Sequence, residues 1–412
     1  MRKNELRSKG TGLIIAAVIL LSTLLIPVQT AGAASKYIKV NAFIKQLVTA
    51  LKLEVNNSSA NPYIDAALGA GILKESDFIN YSSYITRTDA AVLLNRADEY
   101  LHGDTINEDL LSIVLKKRIS DISKIAAPKR EAVARIYAKG IIIGYGNGYY
   151  IQNRAFKGSN YLTKTGADNV INLTINPEKR SRISPDGMLI RTTDLPKNAD
   201  KYDYILACYP NAFYEKKFEF MLSDNWEKTR NPDFYAYPVD MKNETFKNWY
   251  DEWPLSQEMD KYLYNWAALA EEYLNYIFNV DYRTVDDEWI NGLASIFAKN
   301  GNDMSELIKT YYIKPMKANH VVVESSIIAV EPSILYYDTG YCMRAYVKYK
   351  ITADNISVKQ SKLIYASYPN LKNLKRGKWR TGIFDIRFDT DNGSSGDGSN
   401  FTIDVLTRFV DE

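Results

Sequence analysis

Two stretches of the chain repeat one pattern, and this repeat decides the fold of the N-terminal half. One copy reads AGIL at residues 70–73 and ITRTD at residues 85–89; the other reads KGII at residues 139–142 and LTKTG at residues 162–166. Each copy predicts an apolar helix that ends at Gly-Ile, a loop, and a second helix that begins at Thr followed by a cation. Because repeated units bury their apolar faces against their neighbours, the pattern predicts a helical repeat domain with a binding role.

The second helices of the two copies share their start and their core positions. Thr86 and Thr163 each suit an N-cap, because a hydroxyl oxygen accepts a free N–H of the first turn. The apolar residues Ala90, Leu93 and Leu94 each have an apolar counterpart 77 residues later in the chain. A helix predicted over residues 37–53 resembles a second helix without its first half. We therefore expect three units, called the first (37–53), second (62–97) and third (128–174).

The N-terminus has the pattern of a secretory signal peptide. Four cations at residues 2–9 precede an apolar run over residues 13–28, and small residues occupy positions 31–34. We expect residues 1–33 to be cleaved and the chain to be secreted, with an uncleaved signal anchor as the alternative. No Cys follows the run, which disfavours a lipid anchor. No later stretch is apolar enough to span a bilayer, so no membrane contact is expected after cleavage.

Charge and reactive residues exclude several function classes. Removal of the signal peptide lowers the net charge from +3 to about zero, so no basic surface for nucleic acid is expected. His102 and His320 lie apart without a ligand pattern, which disfavours a zinc site or a Ser-His-Asp triad. We expect no cofactor and no metal. Whether Cys208 and Cys342 form a disulfide stays open.

The chain after the repeats predicts an α+β domain. Pro and Arg residues break the helical pattern near residue 176, so we expect a repeat domain over residues 34–176, a linker over 177–186 and a second domain over 187–412. Its expected elements are helices over 257–278 and 285–298, then strands over 321–330, 343–351, 379–388 and 401–410. Arg344, Lys348 and Lys350 alternate with apolar residues, which predicts an antiparallel sheet with one covered face and one wet face. This order is similar to cystatin-like or NTF2-like cones, whose pockets lie between helices and sheet.

The repeats resemble a known family. KGIIIGYGNGYY at residues 139–150, followed by LTKT at residues 162–165, resembles the S-layer homology (SLH) motif, whose usual form is a GII-GY-DGTF run and an ITRAE helix start. The resemblance covers roughly residues 36–176. It implies a pseudo-threefold bundle whose grooves hold an anionic, peptidoglycan-linked secondary cell-wall polysaccharide at the cell wall or S-layer of a Gram-positive envelope. The polymer-binding roles fall on the following residues: Arg87, Lys164, Gly144, Tyr145, Asn147 and Gly148.

A cation at the first turn of a helix suits a carboxylate, because free N–H groups and the helix dipole add to its charge. The motif also departs from the family. Asn147 replaces the usual Asp of the motif, Tyr149 and Tyr150 replace Thr and Phe, and Gly166 replaces the usual Glu. The first unit reads KVNA at residues 39–42 and has no Arg at the expected place, so at least one groove is expected to be empty.

The second domain offers weaker candidates. Asp389, Asp391 and Asp397 suggest a calcium loop, but Asn400 holds the twelfth position, so a hairpin tip is expected. The acidic cluster at Asp281 and residues 286–288 is expected at a helix start rather than as a catalytic pair. The aromatic residues of 202–266 are expected mainly in the core rather than on a sugar-stacking surface.

These observations predict an exported surface protein that is anchored to the cell wall by its repeats and presents a non-catalytic binding or structural domain. Two alternatives remain open. One is a wall-anchored hydrolase with a carboxylate-based site in the second domain. The other is a helical scaffold without a ligand, which the altered motifs permit.

Overall fold

The N-terminal half consists of short helices. The computed structural model describes residues 35–216, 254–297, 303–337, 341–359, 362–365, 374–390, 401–403 and 408–411. The helices of this half are α1 (Val40–Ala50), α2 (Pro62–Gly69), α3 (Arg87–His102), α4 (Glu108–Ile113), α5 (Ala127–Ala138) and α6 (Lys164–Ile175), and one hairpin pairs β1 (Tyr145–Gly146) with β2 (Arg154–Ala155). The predicted helices are present. α1 and α2 are shorter than expected, whereas α3 and α6 extend past the expected ends of their units at residues 97 and 174. The repeat pattern does not predict α4, which runs into a π-helical turn at Val114–Arg118.

A closed ring of backbone hydrogen bonds joins the segments that precede α1, α3 and α6. The N–H of Ile85 donates to the carbonyl of Ile38 at 3.1 Å, the N–H of Leu162 to Ile85 at 2.9 Å, and the N–H of Ile38 to Leu162 at 3.0 Å. Beside this ring lie three aromatic rings with centroids 5.6 to 5.8 Å apart, those of Tyr37, Tyr84 and Tyr161. The segment before α1 is therefore equivalent to the segments before α3 and α6, and α1 corresponds to the second helix of a unit.

The first helix of each unit packs on the second helix of the preceding unit. α2 contacts α1, α5 contacts α3, and α6 contacts both α1 and α3. The core positions read from the repeat are buried in both copies: Ala90, Leu93, Leu94, Ala167, Val170 and Ile171. The helical periodicity is thus confirmed at these positions, and their burial contributes to the packing between units.

The second domain combines helices with an antiparallel sheet. Its helices are α7 (Asn211–Glu215), α8 (Pro254–Phe278), α9 (Asp287–Ile296), α10 (Met304–Ile308) and α11 (Lys314–Ala318). Its strands are β3 (Ile190–Arg191), β4 (Ile205–Leu206), β5 (Val280–Asp281), β6 (Val322–Tyr337), β7 (Tyr341–Thr352), β8 (Arg380–Thr390), β9 (Phe401–Ile403) and β10 (Arg408–Asp411). The main sheet has the order β10-β8-β7-β6-β5, and β9 also pairs with β8. The predicted α+β class is confirmed at this level.

One face of the sheet is covered by helices as expected. The alternate residues of β7 from Met343 to Ile351 are fully buried, and α8 lies against β6. Phe278 at the end of α8 packs on Tyr349 and Phe384 with ring centroids 4.8 and 5.0 Å away. This apolar layer orders the helices on the sheet.

The opposite face is covered at the end of the sheet where Arg344 lies, so the prediction that Arg344 faces solvent is wrong. Arg344 is fully buried, and its guanidinium donates to both carboxylate oxygens of Asp385 at 2.8 and 2.9 Å. The reason is that residues 187–216 fold over this end of the sheet, where Tyr209 and Phe213 are buried. A charged residue tolerates burial when a bidentate partner is present. Towards the far end of β7 the alternate side chains become partly exposed.

Several predictions fall outside the described residues: the signal peptide at 1–33, the aromatic residues 217–253 and the loop 391–400 of the calcium or hairpin-tip alternatives. Cys208 and Cys342 form no disulfide; Cys342 belongs to the aromatic cluster on the side of the sheet that residues 187–216 cover, and Cys208 packs against the same cluster. Among the described helices, none has both the length and the apolar content needed to cross a membrane.

Candidate functional site

The second helices of the second and third units begin at capped turns. The hydroxyl oxygen of Thr86 accepts the N–H of Asp89 at 3.1 Å, and the hydroxyl donates to the Asp89 carboxylate at 2.6 Å. In α6, Thr163 accepts the N–H of Gly166 at 3.0 Å. Both predicted N-caps are confirmed.

A loop of the following unit satisfies the remaining donors at the start of α3. The N–H groups of Arg87 and Thr88 donate to the carbonyls of Asn160 and Gly158 at 2.8 and 3.0 Å. The first two N–H groups of α1 are satisfied in the same way by residues 81–83. These donors are therefore not available to a ligand. The expectation that free N–H groups assist Arg87 is wrong, because the loop of the third unit occupies them.

The first turn of α6 resembles the other two at its first N–H group. The antiparallel bridge between Tyr37 and Thr163 pairs the N–H of Lys164 with the carbonyl of Lys36, whereas the N–H of Thr165 has no hydrogen-bond partner in the described part of the chain. The Lys164 side chain is exposed and makes no ion pair with any described residue. An ammonium without a described ion pair thus lies beside one open N–H group at the positive end of a 12-residue helix.

Arg87 joins α3 to the loop of the third unit. Its Nε donates to the carbonyl of Phe156 at 2.9 Å, and its guanidinium lies 5.1 Å from the ring centroid of Tyr145 and 5.3 Å from that of Phe156. Burial lowers the pKa of Arg87, and the nearby Tyr145 and Asp121 oppose this change. The structure therefore brings Arg87 and Tyr145 together, and it places Arg87 in a structural contact.

The predicted turn residues lie at the base and tip of the β1–β2 hairpin. Gly144 has φ +64°, and a Cβ there would lie 2.6 Å from the carbonyl oxygen of Ala155, so only glycine fits. The Asn147 amide donates to the side-chain oxygen of Asn153 at 2.7 Å. Gly148 also has positive φ, at +117°. These three residues shape the loop.

Tyr145 is the predicted turn residue that presents an aromatic surface. Its side chain is 46 % exposed. The Nζ of Lys157 lies 4.4 Å from its ring centroid, on a loop that sequence reasoning did not single out. Arg87 and Lys157 thus place two positive charges beside the Tyr145 ring. Lys157 follows the buried Phe156 in the sequence, and this local order does not predict a contact with Tyr145.

Tyr149 and Tyr150 do not take the places of Thr and Phe in the motif. Phe156, six residues after Tyr150, is buried in the helical core. Tyr150 instead stacks on Tyr346 of β7, with ring centroids 3.5 Å apart and planes at 2°. The direct residue-for-residue substitution is therefore wrong, because an extension of the hairpin precedes Phe156 and contacts the second domain.

The hairpin extension joins the repeat domain to the second domain through buried hydrogen bonds. The amide nitrogen of Gln152 donates to the hydroxyl of Tyr209 at 2.8 Å and to the carbonyl of Val330 at 2.7 Å. Tyr209 is fully buried and Val330 is 5 % exposed. The third unit thus uses the loop of its motif to contact the sheet.

The segment expected as a linker packs against the helices. Arg118, at the end of the π-helical turn, donates to the carbonyl and to the carboxylate of Asp186, each at 2.8 Å. Arg180 donates to the carbonyl of Leu173 at 2.9 Å and also pairs with Asp98. Buried charge-assisted bonds of this kind restrict movement between the domains.

A groove of about 750 Å³ lies between α3, the loop after α2 and the start of α5. Its three cations on α3 and α5 already have carboxylate partners. These ion pairs are Arg96 with Asp77, Lys129 with Asp89, and Arg135 with Asp104. A ligand in this groove would meet a polar surface whose charges are balanced. Local sequence spacing does not reveal the pairs of Lys129 with Asp89 and of Arg135 with Asp104, because the partners are 40 and 31 residues apart in the chain.

The acidic cluster of the second domain makes structural contacts. Asp286 accepts the N–H of Trp289 at 2.9 Å and caps α9, as predicted. A hydrogen bond from Arg283 lowers the pKa of Asp281. No group of three or more His, Cys, Asp or Glu among the described residues is arranged to hold a metal.

Glu331 is a buried carboxyl group that sequence reasoning did not single out. It accepts hydrogen bonds from the Ser333 hydroxyl at 2.7 Å and the Ile334 N–H at 2.8 Å, and the Tyr214 hydroxyl lies 3.3 Å away. Burial raises its pKa to about 8. The group is therefore mostly protonated at neutral pH, and it links β6 to the segment that covers the sheet.

Comparison with known families adds one finding. Residues 118–164 match the family model of the S-layer homology domain. The matched segment begins at Arg118, ends at Lys164 and covers most of the third unit up to the first residue of α6. No curated protein matches the chain.

Proposed function

We propose that this protein, which contains an S-layer homology domain, is a secreted protein held non-covalently on an anionic, peptidoglycan-linked cell-wall polysaccharide. The domain indicates association with the cell surface or S-layer, and such domains generally bind secondary cell-wall polysaccharides. The proposal further includes a Gram-positive envelope, cleavage of residues 1–33, an anchor over residues 34–176, a linker over 177–186 and a displayed domain over 187–412.

We propose a pseudo-threefold arrangement for the anchor. The closed ring of three hydrogen bonds supports it, because each bond joins equivalent positions of successive units. The common helix-on-helix contacts of α2 with α1 and α5 with α3 support it as well. The symmetry is incomplete, since the described part of the first unit has only its second helix.

The open first turn of α6 is the observation that carries the proposed contact with the polymer. The exposed Lys164 ammonium, which makes no ion pair with a described residue, and the N–H of Thr165 at a helix N-terminus favour a carboxylate. At α3 the equivalent donors bond to the loop of the third unit, and at α1 the cation is replaced by Val40. We therefore assign the principal anion contact to Lys164.

The second proposed contact is the ring of Tyr145. A half-exposed aromatic ring stacks on sugar rings, and Arg87 and Lys157 beside it favour an anionic sugar. Gly144, Asn147 and Gly148 hold the loop in shape. Arg87 is in this proposal a positioning residue whose guanidinium supports Tyr145.

We propose that the second domain is a non-catalytic binding or structural domain with a cystatin-like or NTF2-like cone. Support comes from the long helix α8 lying along an antiparallel sheet and from the structural contacts of its acidic cluster. The hydrolase alternative has a direct test: zymograms on peptidoglycan and on the wall polysaccharide, in which a cleared zone lost on substitution of one Asp or Glu of the second domain would favour it.

Co-sedimentation with purified cell-wall sacculi tests the anchoring role. We expect the chain without residues 1–33 to sediment with intact walls and to stay in solution with walls stripped of the secondary polymer. Lys164→Ala is expected to weaken retention about tenfold or more, because a hydrogen bond to a charged group contributes about 1.5–3 kcal/mol. Lys179→Ala is the matched control, since Lys179 is exposed beyond the other end of α6.

Two outcomes would count against the proposal. Equal retention on intact and stripped walls would exclude the polysaccharide as the ligand. An equal effect of Lys164→Ala and Lys179→Ala would exclude the first turn of α6 as its contact.

A further inference from the structure

In the part of the chain that the structure describes, α6 lacks the covering helix that α1 and α3 possess. α2, the first helix of the second unit, covers α1, and α5, the first helix of the third unit, covers α3. Closure of the ring makes the first helix of the first unit the equivalent cover for α6. Among the described residues no helix precedes α1, so no described helix covers α6 in this way.

A groove of about 660 Å³ between α1 and α6 lies at this position. Its apolar lining comes from Ala42 and Ala50 on one helix and from Ile171 and Ile175 on the other. The side-chain oxygen of Gln46 on its floor is buried and has no hydrogen-bond partner among the described residues. Units of a repeat bury such faces against a neighbour, so the groove fits a helical partner.

We propose that a second copy of this chain occupies the groove, related by a twofold axis. The charges on the two sides of the groove favour this occupant: Lys45 lies on the α1 side and Asp168 on the α6 side, and both are exposed. A twofold axis across the groove brings Lys45 of each copy to Asp168 of the other copy. The face is thus complementary to itself, as a twofold contact requires.

The dimensions of the face predict a weak contact. α1 and α6 have 11 and 12 residues, so the face is about 17 Å long at the usual rise per residue and about 20 Å wide for two neighbouring helices. Its area of about 350 Å² per copy is below the roughly 800 Å² per partner of stable complexes. The dimer is therefore concentration-dependent in solution, and it is favoured when both copies are held on one surface.

Sedimentation velocity over a range of concentrations tests this contact on the chain without residues 1–33. We expect a monomer–dimer equilibrium in the wild type. Lys45→Asp and Asp168→Lys each place like charges opposite one another twice per dimer, which weakens self-association by about tenfold. An equimolar mixture of the two variants restores dimers, because both pairs in the mixed dimer are attractive. Glu178→Lys, at an exposed site outside the groove, leaves the equilibrium unchanged.

Other results would overturn the proposal. A monomer at every concentration would show that no such contact forms. Self-association that is unchanged in both single variants would place the contact on another surface. A photo-crosslinking side chain at Thr49, which is exposed on the groove, is expected to yield a product of twice the chain mass in cells. Crosslinks only within one chain, or only to a different polypeptide, would identify another occupant.

Discussion

Gln152 holds the two domains together, and its removal gives a quantitative prediction. Its amide nitrogen donates to the hydroxyl of Tyr209 at 2.8 Å and to the carbonyl of Val330 at 2.7 Å. Both partners are buried, so Gln152→Ala leaves two polar groups without this donor. A buried group that loses its partner costs about 1–3 kcal/mol. We therefore expect the free energy of unfolding to fall by about 2–4 kcal/mol.

Urea unfolding of the chain without residues 1–33, followed by tryptophan fluorescence and circular dichroism, measures this change. Asn169→Ala is the matched control, because Asn169 is an exposed amide on α6 with no hydrogen bond among the described residues. We expect the control to change stability by less than about 0.5 kcal/mol. Retention on walls should be equal in both variants at low urea, because neither residue contacts the proposed polymer site.

A loss below about 0.5 kcal/mol for Gln152→Ala would refute the inference that the hairpin extension joins the domains. A fall in wall retention without a fall in stability would also contradict it, since Gln152 would then act on the polymer.

Two further predictions concern Glu331 and Gly144. The pKa of the Glu331 carboxyl is 4.5 in the unfolded chain and about 8 in the folded protein. Between these pH values the folded state binds one more proton than the unfolded state. The free energy of unfolding should therefore fall as pH rises from 4.5 to 8, by at most about 1.4 kcal/mol per pH unit. Glu331→Gln should remove this slope, and equal pH slopes between pH 5 and 8 in both proteins would contradict it. Gly144→Ala should destabilise by about 1–3 kcal/mol because φ is positive and the carbonyl oxygen of Ala155 blocks the Cβ. Gly69→Ala, which meets no atom within 4 Å, should be neutral or slightly stabilising, and equal effects of both substitutions in thermal unfolding would refute this reasoning.

The repeat units were predictable because their signals are local. Each cap and core position depends on residues within one helix, such as Thr86 with Asp89 or Ala90 with Leu93 and Leu94. The constant offset then transfers these assignments to the third unit. The face of β7 that the helices cover was predictable for the same reason, because the alternation of apolar residues along a strand is also local.

The state of each first turn was not predictable from a single unit. Whether the N–H of Arg87 is free depends on Asn160, which lies 73 residues later and is brought close by ring closure. The resemblance to the motif treats Arg87 and Lys164 alike. The structure separates them, because the Arg87 side chain is held by the carbonyl of Phe156 and the ring of Tyr145, whereas the Lys164 side chain is exposed.

Two corrections share one physical origin, which is long-range burial. Arg344 alternates with apolar residues and therefore indicates a solvent-facing side, yet Asp385 and the segment at residues 187–216 bury it. Tyr150 lies inside a motif-like run, yet it stacks on Tyr346, which is 196 residues away in the chain. Neither partner is visible from local spacing.

Titration of the isolated wall polysaccharide into the chain without residues 1–33, by calorimetry at low and high salt, tests the central claim most directly. The account predicts saturable binding that weakens with salt, a loss of about tenfold or more for Lys164→Ala, and a smaller loss for Arg87→Ala once its reduced stability is taken into account. Absence of binding, or a larger loss for Arg87→Ala than for Lys164→Ala in fully folded protein, would contradict the assignment of the anchor to the open first turn of α6.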